Sequence, residues 1–213
     1  AFGVSTAKLY NYLAIQYGGG DSGDYEWADI DSTWRMKCGV KSTGSAQSYC
    51  GGYTSAGTER GGTAEWGISV HAGQDIDGDG YDDLILGDHL NDDEANQAGK
   101  VWILWGTSTD WSNTNASLTG RATTFVEGSS VKAYAGKYVH ASPDADGDGD
   151  AEVWVYDGAN DYFYFMEGGA GLRDGGFDLS TDFDADLDWS GMDAISGFSD
   201  VGDWTGDGHN DIG

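Results

Sequence analysis

Three stretches of the chain gather oxygen-bearing side chains at a spacing that suits a hard cation: DIDGDGYDD at 75–83, DADGDGDAE at 144–152 and DWTGDGHND at 203–211. All three fit one frame. Positions 1, 3 and 5 are Asp75, Asp77 and Asp79 in the first copy, Asp144, Asp146 and Asp148 in the second, and Asp203, Thr205 and Asp207 in the third. Position 6 is Gly80, Gly149 or Gly208, and position 9 is Asp83, Glu152 or Asp211. Without a cation these carboxylates would repel one another, and the glycines would leave the backbone loose. Alternating oxygen donors, a glycine for the sharp turn and a closing acid supply most of the roughly six to eight oxygens that calcium takes. A backbone carbonyl at position 7, from Tyr81, Asp150 or His209, completes the set. Calcium is the cofactor expected, at about three sites. The third is the weakest, because Thr205 stands in place of a carboxylate.

The frame is not that of an EF-hand, whose bidentate acid lies at position 12. Here that position is Leu86 or Val155, and closure falls at position 9 instead. The runs that follow, LILGD and VWVYDG, are short, apolar and β-prone. The loops therefore belong between strands. A plain acidic hairpin turn would explain one copy, but three copies in one frame argue against it.

The surroundings repeat with the loops. WGISVHAGQ, AGKYVHASP and AISGFSDVG precede them, DDLILGD and AEVWVYDG follow the first two, and GKVWILWG and DYFYFMEGG come next. Units of this length hold about four short strands, which is one blade of a β-propeller. With the glycine-led strand from Gly67 to Val70, the loop, the D-apolar strand and the GKVWILWG strand matching together, the sequence resembles the FG-GAP repeats of integrin alpha chains and many secreted microbial proteins. That resemblance implies an all-β fold of four-stranded antiparallel blades, about three in number, as an incomplete ring or one completed by another chain. It also implies that each loop is a calcium hairpin joining the first two strands of its blade.

The units expected are a partial blade in 1–60, blades in 61–130 and 131–194, and the first strand and loop of another blade in 195–213. NDIG followed by AFGVSTAKLY parallels the second strand of the first unit, so residues 1 to 17 are expected to continue the strand begun at Asn210 to Gly213. Donation by a neighbouring copy would give a ring or a filament. A covalent join in a longer parent chain is the alternative.

Composition bounds the partners. With 37 acidic against 10 basic residues, the chain lacks the basic patches that nucleic acid requires. Its aromatic content of 13% sets it apart from disordered acidic chains. No apolar run is long enough to span a bilayer, and AFGVSTAKLY lacks the features of a signal peptide, so the chain reads as mature and soluble. Cys38 and Cys50 lie near each other in a polar stretch and are expected to form a disulfide worth about 3 kcal/mol. A bridge implies an oxidising, extracellular setting, whereas two unrelated thiols would carry no such implication. Asn115, in NAS, fits a glycosylation acceptor.

Other clusters have plainer readings. In DFDADLDW at 182–189 the aspartates alternate with apolar residues, the period of a half-buried strand. His71 and His140, each four residues before a loop, occupy a repeated strand position rather than a catalytic one. No nucleophile elbow, HExxH or phosphate loop is present. The expectation is a noncatalytic, secreted or cell-surface module for adhesion or assembly, with self-association or a protein or carbohydrate ligand. A lectin and a polysaccharide-degrading enzyme are the alternatives.

Overall fold

The computed structural model describes residues 2–6, 10–15, 34–37, 69–91, 94–107, 116–117, 124–173, 175–188, 199–208 and 211–212. Its strands are, in chain order, β1 (Phe2–Thr6), β2 (Tyr10–Ile15), β3 (Trp34–Lys37), β4 (Val70–Gln74), β5 (Asp83–Asp88), β6 (Lys100–Leu104), β7 (Ala116–Ser117), β8 (Thr124–Glu127), β9 (Val139–Ser142), β10 (Glu152–Asp157), β11 (Tyr162–Met166), β12 (Gly176–Asp178), β13 (Ala185–Asp188), β14 (Asp200–Gly202) and β15 (Asp211–Ile212). Among the described residues a 3-10 turn covers Ala170–Leu172. The protein is all-β and built of propeller-like blades.

Two sheets carry the repeat. In the first, β4, β5, β6 and β8 form an antiparallel meander. In the second, β9, β10, β11 and β13 do the same. Strand β12 then adds in parallel to β8, so the chain of the second unit returns to the edge of the first. Near the N-terminus, β1, β2 and β3 form another antiparallel meander, with β7 parallel on β3. Strands β14 and β15 pair as a separate hairpin. Among the described residues no sheet pairs β15 with β1 and no ring closes.

The burial pattern explains why the middle strands read as apolar runs rather than alternations. DLILGD in β5 and KVWIL in β6 are buried along their whole length, as interior strands covered on both faces must be. The leading strand β4 is more open, and its pairing slips between Ala72 and Gln74, where Gly73 takes φ 97°. Such a bulge turns the strand into the loop that follows. Strand β13 forms where the aspartate alternation predicts it, but all four of its residues are exposed. It lies at the outer edge of its sheet, beyond β11, so only the adjoining Phe183 reaches the core. The expected half-burial is therefore corrected to an exposed edge strand.

One apolar core spans both blades. Ile85, Val101, Ile103 and Val126 of the first pack with Val139, Val153, Val155, Tyr164 and Met166 of the second. Each such side chain contributes about 1.5–3 kcal/mol on burial. Hydrogen bonds stitch the same seam: the N–H of Ala135 donates to the carbonyl of Ala98 at 2.9 Å, and that of Val139 to the Ser69 side-chain Oγ at 2.8 Å.

Candidate metal centre

The β4–β5 and β9–β10 connections are the first and second acidic loops, and each folds its carboxylates inward. Asp144, Asp146, Asp148 and Glu152 bring one carboxylate oxygen each to within 4.8 Å of one another. Asp75, Asp77 and Asp83 do the same in the first loop. Both loops share an internal wiring. The position-3 carboxylate accepts the position-5 N–H: Asp77 from Asp79 at 3.3 Å and Asp146 from Asp148 at 3.1 Å. The position-5 carboxylate accepts the position-7 N–H: Asp79 from Tyr81 at 3.0 Å and Asp148 from Asp150 at 2.9 Å. Glycines at positions 4 and 6 make the curl, with φ between 71° and 104° in these two loops, where a side chain would be strained.

The closing acids are held in place by the strands. Asp83 accepts the N–H of Ile76 at 2.8 Å and that of Gly106 at 2.7 Å. Glu152 accepts the N–H of Ala145 at 2.9 Å and the hydroxyl of Ser142 at 2.8 Å. Burial pushes the Asp83 carboxyl up to about 6 against the pull of its two N–H donors, with Asp77 and Asp75 adding to the rise. Burial raises Glu152 too, opposed by Ser142 and Ala145. The first site therefore concentrates negative charge where water screens it poorly, and the second sets one buried acid beside three exposed ones; a divalent cation would relieve the repulsion in both. An all-oxygen set on a glycine-curled loop fits calcium rather than a softer metal. The second loop presents four such acids. In the first, Arg173 pairs with Asp77 and with Asp79.

The two loops touch. The N–H of Ala151 donates to the carbonyl of Asp75 at 2.9 Å, and that of Gly169 to the carbonyl of Ile76 at 2.6 Å. Asp150 lies against Gly78. Partial burial and the charges of Asp148, Asp75, Asp77 and Asp144 push its carboxyl above the ordinary value.

Residues 66–104, which carry β4, the first loop, β5 and β6, match the family model for the FG-GAP repeat. This segment is an FG-GAP repeat. A search of curated proteins found no match to the chain.

The sheet holding the second loop reproduces the FG-GAP arrangement strand for strand; the third loop keeps only part of it. Asp203 curls the third loop by accepting the N–H groups of Gly206, Asp207 and Gly208. Asp211 accepts the N–H of Thr205, at position 3, whereas the first two loops use position 2. Among the described residues its acids do not gather as those of the other two loops do. His209, Cys38, Cys50 and Asn115 lie outside the described residues.

The repeat also contains buried structural positions outside the acidic loops. Asp88 and Asp157 share a frame position at the end of β5 and β10, and both are fully buried. Asp157 accepts the N–H of Ala159 and the hydroxyl of Ser129, closing the turn to the next strand. Their recurrence in LILGD and VWVYDG was the available signal. Arg173 left none, because nothing in the local sequence ties it to residues about a hundred positions earlier.

His71 and His140 meet edge to face with ring centroids 4.3 Å apart. His140 Nε2 accepts the N–H of Asp200, tying β14 to the second blade at 3.0 Å. Burial, reinforced by His71 and opposed by Asp200, lowers His140 to about 4. Burial lowers His71 as well, again opposed by Asp200. The unfolded chain protonates first, so this contribution is present above the unfolded value near 6.5 and is lost as pH falls toward 4. In chelator, the stability advantage of wild type over His140→Gln is expected to shrink by about 1–1.5 kcal/mol between pH 6.5 and 5. The raised acids are common to both proteins and cancel. Urea unfolding at the two pH values measures it, and an unchanged gap would show that His140 does not titrate with folding.

Proposed function

We propose that this chain is a calcium-stabilised β-propeller module that works outside the cell in binding or assembly. The observation that carries the reading is the pair of carboxylate clusters on adjoining blades, built on one FG-GAP frame and joined backbone to backbone. Calcium bound there would neutralise charge on a chain of net charge −27 and would fasten the blade seam at the loops. The loops would act as staples, leaving the outer faces free to bind. Among the described residues no helix is long and apolar enough to cross a membrane. Self-association is the partner this reading favours, since β1 and β15 are edge strands among the described residues. A carbohydrate ligand is supported by Trp204, which is 84% exposed at a loop tip where the first loop buries Ile76.

Calorimetric titration of chelator-treated protein with calcium chloride tests the reading. Binding is expected at about 10⁻⁴ to 10⁻³ M. Calcium at a hundred times such a constant would add about 2.7 kcal/mol per site. Sedimentation in the same two conditions reads self-association. An absence of binding heat together with an unmoved melting temperature would end the calcium reading.

A further inference from the structure

Arg173 is a positive charge that the second blade inserts into the first blade's acidic loop. It follows the 3-10 turn at Ala170–Leu172, well beyond the loop in sequence. Its Nε pairs with Asp77 Oδ2 and its Nη2 with Asp79 Oδ2, so one guanidinium fork bridges positions 3 and 5 of the frame. The Asp77 side chain is wholly buried, whereas that of Arg173 remains 38% exposed. These two acids raise the guanidinium above its ordinary value, so the arginine stays charged.

The placement is built rather than incidental. Gly169 donates its N–H to the carbonyl of Ile76 inside the loop, which fixes the chain just before the turn. Thr124 Oγ donates to the carbonyl of Leu172 at 2.7 Å and accepts Trp105 Nε1–H at 3.1 Å. The guanidinium carbon of Arg173 then lies 5.5 Å from the centroid of the Trp105 ring, within cation–π range. Arg173 is therefore held from below by an aromatic face and from behind by a buried hydrogen-bond chain. Among the described residues the acids of the second loop have no comparable ion pair.

We infer that Arg173 is an internal counter-cation that competes with a divalent ion for Asp77 and Asp79, making the first loop the weaker of the two sites and coupling its filling to the blade seam. The inference rests on the proposal that these loops bind calcium. The physical ground is charge and space. A guanidinium on two of the loop's acids lowers the field an incoming ion would feel and uses oxygen positions the ion needs. For the ion to bind with its full set, the Arg173 pairs must open. Conversely, a buried Asp77 without arginine is left uncompensated until a cation arrives. Arg173 thus lets the first blade stay folded when calcium is scarce, at the expense of affinity when it is present.

The test is calcium titration by calorimetry of wild type, Arg173→Gln, Asp148→Asn and the double variant, with melting temperatures in chelator and in calcium chloride. Arg173→Gln is expected to tighten one class of site by on the order of tenfold. It should also melt lower than wild type in chelator and recover in calcium. The gain should persist when Asp148→Asn weakens the second loop. Arg173→Lys keeps the charge but not the fork, and should fall between the two; it also serves if the glutamine variant does not fold. In wild type, calcium should change tryptophan emission in part through the Trp105 contact, and Trp105→Phe should reduce that change. If Asp148→Asn weakens binding while Arg173→Gln leaves the remaining site unchanged or weaker, the competition is refuted and the calcium reading stands. If no variant binds calcium, the loop reading itself fails, and this inference fails with it.

Discussion

Gly87→Ala is expected to destabilise the protein by about 3 kcal/mol, a large loss for one methyl group. Gly87 sits inside β5, where alanine would normally be the better residue. A Cβ there would lie 1.8 Å from the carbonyl oxygen of Gly136 and 2.7 Å from its carbonyl carbon, in the segment leading to β9. Both obstacles are backbone, so no rotamer change relieves the contact and the blades themselves must separate. Gly136, at φ 85°, in turn approaches Gly87, the carbonyl of Lys100 and the N–H of Asp88. Separation would also strain the core shared by Ile85, Val139 and Val153. Gly171→Ala provides the control. No atom lies within 4 Å of the Cβ it would gain, so it should stay within about 0.5 kcal/mol of wild type. Urea unfolding in chelator measures both. If Gly87→Ala is as stable as the control, the two blades are not packed backbone to backbone and the shared-seam description is wrong.

The sequence made the loops and their flanking strands legible because their signals are local. The glycine and aspartate frame spans nine residues, and β5, β6, β10 and β11 are short apolar runs beside it. Register follows from the loop, since a two-strand hairpin has little freedom once its turn is fixed. What stayed hidden depends on distant contacts. The parallel addition of β12 to β8 gives no local pattern, because a three-residue GFD strand has no period to read. The exposure of β13 was equally silent: apolar residues alternate with aspartates whether or not a further layer covers the strand. Arg173 has no partner within its own stretch of sequence, and its role emerges only when one blade is set against the next. At the seam, Gly87 and Gly136 supply closeness, which no local pattern in the sequence announces.

Glu152→Gln is expected to separate the two roles of the closing acid, and Glu152→Ala to lose both. Glu152 is 1% exposed at the start of β10. Both carboxylate oxygens accept the N–H of Ala145, and Oε2 also accepts the hydroxyl of Ser142. Truncation to alanine strands these donors and opens a cavity, which together should cost about 3–4 kcal/mol in chelator. Glutamine keeps the shape and an acceptor oxygen while removing the charge. Because burial and the Asp146 charge hold the Glu152 carboxyl above its ordinary value, its ionised form is a burden to the metal-free fold at neutral pH. The burden eases as pH falls and the group protonates. Glu152→Gln should therefore match or slightly exceed wild type in chelator at pH 7. In calcium the order should reverse, since the second loop has lost the acid that closes its oxygen set, and the variant should forgo about 2.7 kcal/mol wherever calcium stands a hundredfold above the binding constant. Melting curves of the three proteins in both conditions decide the matter. A glutamine variant that retains the full calcium shift would show that position 9 does not close the site, and the oxygen frame drawn from Asp144 to Glu152 would have to be abandoned.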